Sequence, residues 1–240
     1  MAIDELGFLQ DLIVKYRPRR FIEIGMASGL STGFLARFLA ENEGADLVSI
    51  DHDDSFFGDP TKPNGFLVPE LYPSGVTKVD LVKFCTSLDL ERVPGAFDMA
   101  FVDANHQHPW PAIDSLALYP RMTGSKIVVH HDLRLFAKQD VMFGIGPKYL
   151  FDQFPDSHRT RSEANGGNIF AVDLTMDQPR FEALMADLLK LPWSLRGPFP
   201  PATLEKIRAM LRNHYSPALL EHFDRVVATQ NMNDRFRSGL

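Results

Sequence analysis

Phe21-Ile22-Glu23-Ile24-Gly25-Met26-Ala27-Ser28-Gly29-Leu30-Ser31-Thr32 decides the fold. Its first four residues read as a strand, and Phe34, Leu35, Phe38 and Leu39 then fall at helical spacing within residues 32–41. Between the two, Gly25 permits a tight turn, and Gly29 leaves room for a ligand to approach the backbone where a Cβ would block it. Strand, glycine loop and helix in that order make the opening unit of a parallel α/β sheet. Such sheets bind ligands outside the carboxyl ends of their strands, where the strand order reverses.

Outward from this unit the pattern repeats. Residues 4–17 have helical spacing (Leu6, Leu9, Leu12, Ile13) and lead into the sheet. Further strands are expected at 46–50, ending at Asp51, at 79–84, and at 97–102, ending at Asp103. A helix over 111–119 precedes a fifth strand at 126–129, which opens on His130-His131-Asp132. Residues 150–154 close another helix and 168–172 form one more strand. The expected class is α/β: a doubly wound, mostly parallel Rossmann-like sheet with helices on both faces and a helical C-terminal extension. Residues 1–175 form the sheet domain and 176–240 the extension, whose two helical sets are separated by a proline-rich break at 192–201. That extension is free to cap the sheet, cover the site or form a dimer face.

Residues 52–75 interrupt the rhythm with Pro60, Pro63, Pro69 and Pro73 and with Gly58, Gly65 and Gly75. Two readings stand side by side: a lid over the substrate, or an irregular linker packed on its own Phe and Leu residues.

Composition narrows the function. The 240 residues carry a net charge of −6, with 45% hydrophobic and 23% charged residues, as in a soluble globular protein. Nucleic acid is not an expected partner, because it calls for a basic face. The densest basic run, Arg17-Pro18-Arg19-Arg20, reads as a solvated helix end. Cys85 is the only cysteine, so no intramolecular disulfide forms, and it reads as a small buried hydrophobe. The N-terminus has no signal-peptide pattern, and no apolar run approaches the roughly 20 residues of a membrane span. A cytoplasmic protein without a membrane partner is expected.

The glycine loop lacks the Gly-Lys-Ser/Thr ending of a Walker A loop, and Gly25, Gly29 and Gly33 stand four apart, unlike Gly-x-Gly-x-x-Gly. Glu23 lies in the strand just before it. A carboxylate there repels a pyrophosphate and attracts the ammonium of an amino-acid ligand, directly or through water. This favours S-adenosylmethionine over NAD. Asp51, ending the next strand, is placed to accept from ribose hydroxyls.

Taken in order, Glu-x-Gly-x-x-x-Gly-x-Ser-Thr, Asp51, the stretch 97–106 and Val128-Val129-His130-His131-Asp132 resemble the class I S-adenosylmethionine-dependent methyltransferases. The chain is similar, over residues 5–175, to the small-molecule O-methyltransferases that include the macrolide-sugar and coumarin-antibiotic enzymes. The resemblance implies a cofactor held by Glu23, Gly25, Met26, Gly29, Ser31, Thr32, Asp51 and Asp103. It places the adenine beside Thr86-Ser87, although the family more often has an acidic residue near Thr86. The family's Asp-Gly-Asp-His, with a further Asp down the helix, appears here as Asp103-Ala104-Asn105-His106 and Asp114. The implied reaction is methyl transfer to a small-molecule hydroxyl. His106 acts as general base, by its match to a catalytic histidine of the sugar enzymes, and Asp132 belongs to the same catalytic group. Metal-dependent relatives place a carboxylate and an acidic pair where this chain has Asp103, His131 and Asp132. The imidazole there suits zinc, iron or nickel better than magnesium, so a divalent cation and its identity are both open.

Three other classes are weighed: a nicotinamide-dependent oxidoreductase, a mononuclear iron enzyme using His131-Asp132, and an inactive S-adenosylmethionine-binding module. A homodimer is one assembly considered. His130 is expected in the core. His108 is read either as lining the acceptor pocket or as a surface-loop residue. Asp114 is read as a local cap or pair.

Overall fold

A computed structural model describes residues 1–42, 44–138 and 141–238. In chain order the elements are α1 (Ile3–Tyr16), β1 (Arg20–Ile24), α2 (Leu30–Glu41), β2 (Asp46–Ile50), β3 (Ser55–Phe56), β4 (Asp59–Pro63), α3 (Val68–Leu71) and β5 (Val79–Val82). They continue with β6 (Phe97–Val102), α4 (Trp110–Leu118), β7 (Met122–His130), α5 (Leu135–Lys138), α6 (Val141–Gln153), β8 (Arg159–Arg161) and β9 (Phe170–Asp173). Three helices follow: α7 (Gln178–Leu189), α8 (Pro201–His214) and α9 (Pro217–Ser238).

Seven strands make one sheet in the order β5-β2-β1-β6-β7-β9-β8. The first five are mutually parallel, and β9 runs antiparallel to both β7 and β8. The order reverses between β1 and β6, so the carboxyl ends of these two strands frame the crevice where such sheets bind ligands.

Alternate residues of each central strand enter two different cores, as expected of parallel strands covered on both faces. Phe21, Leu47, Met99, Phe101, Ile127 and Val129 pack with Leu9, Leu12 and Ile13 of α1 and Leu35 and Leu39 of α2. Ile22, Ile24, Val48, Ala100, Val102 and Val128 face the other way, onto α4 and onto Phe181, Ile207, Leu211 and Phe223 of α7, α8 and α9. The C-terminal helices therefore cap one face of the sheet and share its core. Residues 239–240 of the expected extension lie outside the described residues.

Two features escaped the sequence pattern. Strand β8, Arg-Thr-Arg, has no apolar residue to announce it and exists because β9 offers it a partner edge. Residues 52–75 contain a short hairpin, β3 paired with β4, whose Phe56 ring contacts Phe57 and Phe66. This segment also docks on the glycine loop: Gly65 N donates to Ala27 O at 2.8 Å and Leu67 N to Ser28 O at 3.0 Å. Among the described residues no helix is long and apolar enough to cross a membrane.

Candidate active site

The glycine loop is built by backbone geometry. Gly25 has φ +96°, and a Cβ there would lie 2.2 Å from the carbonyl oxygen of Asp103, at the end of β6. Only glycine tolerates both. The loop's amides are gathered by one side chain: Asp51 Oδ2 accepts from Met26 N at 3.1 Å and Ala27 N at 2.9 Å, while Oδ1 accepts from Asp53 N at 3.1 Å.

Gly29 departs from its expected role. A Cβ there would meet Val68 Cγ2 at 2.7 Å and Gly65 Cα at 2.8 Å. What comes close to Gly29 is thus the docked 65–68 segment.

Glu23 is fully buried and accepts from the hydroxyls of Thr32 and Ser49, each at 2.5 Å. Its second oxygen, Oε1, has no hydrogen-bond partner of good geometry. Burial pushes the carboxyl up to about 7, against the opposing pull of Ser31, Ser49 and Thr32.

A cavity of about 420 Å³ opens at the carboxyl ends of β1, β2, β5 and β6. Of the residues singled out in the sequence, Gly25, Asp51, Thr86, Ser87, Asp103 and His106 line it. Glu23, Met26, Gly29, Ser31 and Thr32 are not among its lining residues, nor are His131 and Asp132. The Thr86-Ser87 corner is braced from below. Asp89 accepts from Thr86 N at 3.1 Å and Oγ1 at 2.7 Å, and Lys206 of α8 bonds to Asp89. Ser87 Oγ donates to Asp114 Oδ1 at 2.5 Å. Asp114 also lines the cavity, and burial raises its carboxyl to about 7, against the pull of Ser87 and His106.

The second cluster arises from strand register. Val102 pairs with His130 and His131 N donates to Val102 O at 3.1 Å, so Asp103 and His131 leave the sheet side by side. Asp103 Oδ1 lies 3.4 Å from both His131 Nδ1 and His106 Nε2. His106 Nε2 is 3.5 Å from Asp132 Oδ2, and His131 Nδ1 is 3.4 Å from Asp132 Oδ1. These are ion-pair distances without the alignment of good hydrogen bonds. Burial works to raise the Asp103 carboxyl, but His106 and His131 outweigh it and hold the group well below the usual carboxylate range. Burial works to lower His131, but Asp103, Glu5 and Asp132 prevail and lift it to about 10. One donor atom each from Asp103, His131 and Asp132 lie within 4.8 Å of one another, close enough to share a cation.

Of the two other histidines singled out, one meets expectation and one does not. His130 is buried against Phe170, ring centroids 5.3 Å apart, and burial depresses it to about 3, as a core histidine should be. His108 neither lines the cavity nor lies on a surface loop. It is buried edge-on against Tyr149, and burial takes it down to about 3.

Sequence reasoning missed three supports. Ser194, in the proline-rich break, anchors the loop that carries His106: its amide donates to His108 O at 2.9 Å and its hydroxyl accepts from His108 N at 2.8 Å. Asn168 holds Asp132, and Glu5 of α1 reaches His131 Nε2 at 3.2 Å. Only Glu5 left a signal. It stands four residues before Leu9 and so falls on the buried stripe of an amphipathic helix, where a charge needs a reason.

A doubly wound sheet of this strand order, with a glycine turn and acidic residues ending its first strands, is a Rossmann-like methyltransferase fold. Residues 22–133 match the family model described as a methyltransferase domain. That match takes in the glycine loop, Asp51, Asp103, His106 and His131-Asp132. Among solved structures it is similar to the O-methyltransferase TomG from Streptomyces achromogenes, involved in tomaymycin synthesis and in complex with SAM. That likeness has 20% identity, covers 74% of this chain and 82% of the other, and has a TM-score of 0.53. The SAH complex of an O-methyltransferase from Bacillus cereus gives 17% identity, 72% and 82% coverage and a TM-score of 0.51. The SAH-bound methyltransferase PaMTH1 of Podospora anserina gives 16%, 70%, 76% and 0.51. No curated protein matches the chain.

Proposed function

We propose that this chain is a methyltransferase that draws its methyl group from S-adenosylmethionine and places it on a hydroxyl of a small molecule. The observation that carries the reading is one cavity lined both by the Gly25, Asp51 and Thr86-Ser87 wall and by Asp103 and His106. When bound, S-adenosylmethionine supplies an electrophilic methyl on its sulfonium. The Oε1 of buried Glu23, which has no well-aligned hydrogen-bond partner, fits that cofactor, because an ammonium reached directly or through water would supply a donor and the opposite charge. Asp51 accepts three amides, which leaves lone pairs for ribose hydroxyls.

His106 takes the acceptor's proton as its oxygen attacks in line. Asp103 and Asp132, at 3.4 and 3.5 Å, orient the imidazole and favour the positive charge it gains. Asp103, His131 and Asp132 are the candidate metal ligands. Their mixed nitrogen and oxygen donors fit zinc, iron or nickel, and a cation there would lower the pKa of the acceptor hydroxyl. A second reading has a specific observation behind it: the imidazolium of His131, favoured up to about pH 10, balances the carboxylates with no ion bound. Metal analysis of the purified protein separates these. A stoichiometric transition metal supports the first reading, and full activity after chelation supports the second.

The working assembly in this proposal is a cytoplasmic enzyme with a small-molecule acceptor and no nucleic-acid partner; light scattering tests the homodimer. Thermal shift with S-adenosylmethionine and with NAD tests the cofactor. Stabilisation by NAD alone would sink the reading. A labelled-methyl screen over phenols, sugars and polyketides then tests the transfer.

A further inference from the structure

We propose that Asn64, on the segment docked over the glycine loop, is a cofactor-binding residue whose side-chain oxygen accepts from a ribose hydroxyl beside Asp51. The proposal rests on the reading that the cavity holds S-adenosylmethionine.

Asn64 directly follows β4 and is only 4% exposed. The backbone is tied on both sides of it. Its own amide donates to Asp54 O at 2.8 Å, and the next amide, of Gly65, donates to Ala27 O at 2.8 Å. Asn64 is therefore fixed between the chain leaving β2 and the glycine loop. It lines the cavity together with Asp51 and Asp53, and with Ser55 and Phe57 of its own hairpin.

Only half of the carboxamide is used within the fold. Nδ2 donates to Asp53 O at 3.1 Å, while Oδ1 is buried and has no hydrogen-bond partner among the described residues. The opposite orientation of the amide is ruled out, since it would set oxygen against the carbonyl oxygen of Asp53. A buried acceptor left without a donor is costly, and the bond to Asp53 does not require it. Among the described residues with such unpartnered buried atoms, only Asn64 and His106 line the cavity. His106 belongs with Asp103 and Asp132. Asn64 belongs with Asp51, because Asp53, whose carbonyl it holds, donates its amide to Asp51 Oδ1 at 3.1 Å.

Asp51 supplies the reason for a second acceptor. Three amides already occupy three of the roughly four lone-pair sites of its carboxylate. A ribose brings two O–H donors to that position. Asn64 Oδ1 meets one of them without adding a further negative charge beside Asp51 and Asp53. The inserted segment then does more than press on Gly29: it contributes a polar group to the wall around the cofactor.

The test is a calorimetric cycle. S-adenosylhomocysteine and its 2′-deoxy and 3′-deoxy analogues are each titrated into the wild type and Asn64→Ala. The variant is expected to bind S-adenosylhomocysteine roughly three- to tenfold more weakly. Removing one of the two hydroxyls should weaken wild-type binding by at least about threefold and the variant's by less than about twofold, because the partner is already gone. Asn64→Leu, which keeps side-chain bulk without an acceptor, replaces Asn64→Ala should that variant fail to fold. A residue that only braces the hairpin weakens all three ligands by one factor. That result, or an affinity for S-adenosylhomocysteine unchanged by the substitution, overturns the proposal alone. Absence of S-adenosylhomocysteine binding in the wild type overturns the functional reading and this proposal with it.

Discussion

The two halves of the candidate site are built in opposite ways. The cofactor half, from Glu23 to Asp51, is a short stretch of chain whose shape comes from positive φ at Gly25 and from amides gathered on Asp51. The chemical half brings together Glu5, Asp103, His106, His131, Asp132 and Asn168 from across the chain, and charge and register hold it. The first half depends on backbone, so it should respond sharply to a single added atom, with buried Glu23 as its charge-sensitive member. The second depends on side chains and should behave in reverse.

The most damaging change to test is Gly25→Ala. It forces an L-residue to φ +96° and puts its Cβ 2.2 Å from the Asp103 carbonyl, a backbone atom unable to yield. The expected outcome is loss of at least about 3 kcal/mol of stability together with S-adenosylhomocysteine binding. A wild-type melting curve and calorimetric titration would remove the contact between halves from the account.

His106→Ala comes next. It should lower turnover of an acceptor found by screening by roughly 10²–10⁴-fold, leaving S-adenosylhomocysteine affinity within threefold. A comparable loss of cofactor affinity would mean that His106 belongs to the first half.

Glu23 supplies a pH test. Below about 4.5 its carboxyl is protonated in folded and unfolded chains alike, and between there and about 7 only the folded chain keeps the proton. Stability is therefore lost as pH rises through that window, by roughly 3 kcal/mol at most. Glu23→Gln should shrink the difference in unfolding free energy between pH 5 and pH 8. It should not abolish that difference, since Asp114 is also raised to about 7 and acts in the same direction. An unchanged difference would show that Glu23 titrates normally in the fold.

The mildest test reaches the second half from outside. Ser194→Ala removes the hydroxyl that accepts from His108 N. It should cost roughly 1–2 kcal/mol and slow turnover less than tenfold. If turnover is unaffected, the C-terminal segment supports the fold without steadying His106.

The same contrast explains what was legible in the sequence. Strand, turn and helix around Gly25 are local, and local periodicity and glycine placement carry them. The five parallel strands and Asp51, Asp103 and His131-Asp132 at their ends follow from the same pattern. What the pattern did not reveal was contact between distant segments. Strand β8 is polar and is created by its partner, and the roles of Ser194 and Asn168 depend on which loops meet. Gly29 shows the limit from the other side. Its spacing suggested a ligand, but a glycine also suits close protein packing, and the pattern does not distinguish them.

That glycine has a consequence for engineering. Gly29 and the 65–68 segment that presses on it behave as a matched pair, joined by backbone bonds between Ala27 and Gly65 and between Ser28 and Leu67. Replacing Gly29 is disfavoured twice over, by its φ of +85° and by the segment pressed against it. A transplant of residues 52–75 into another scaffold would need to carry Gly29 with it.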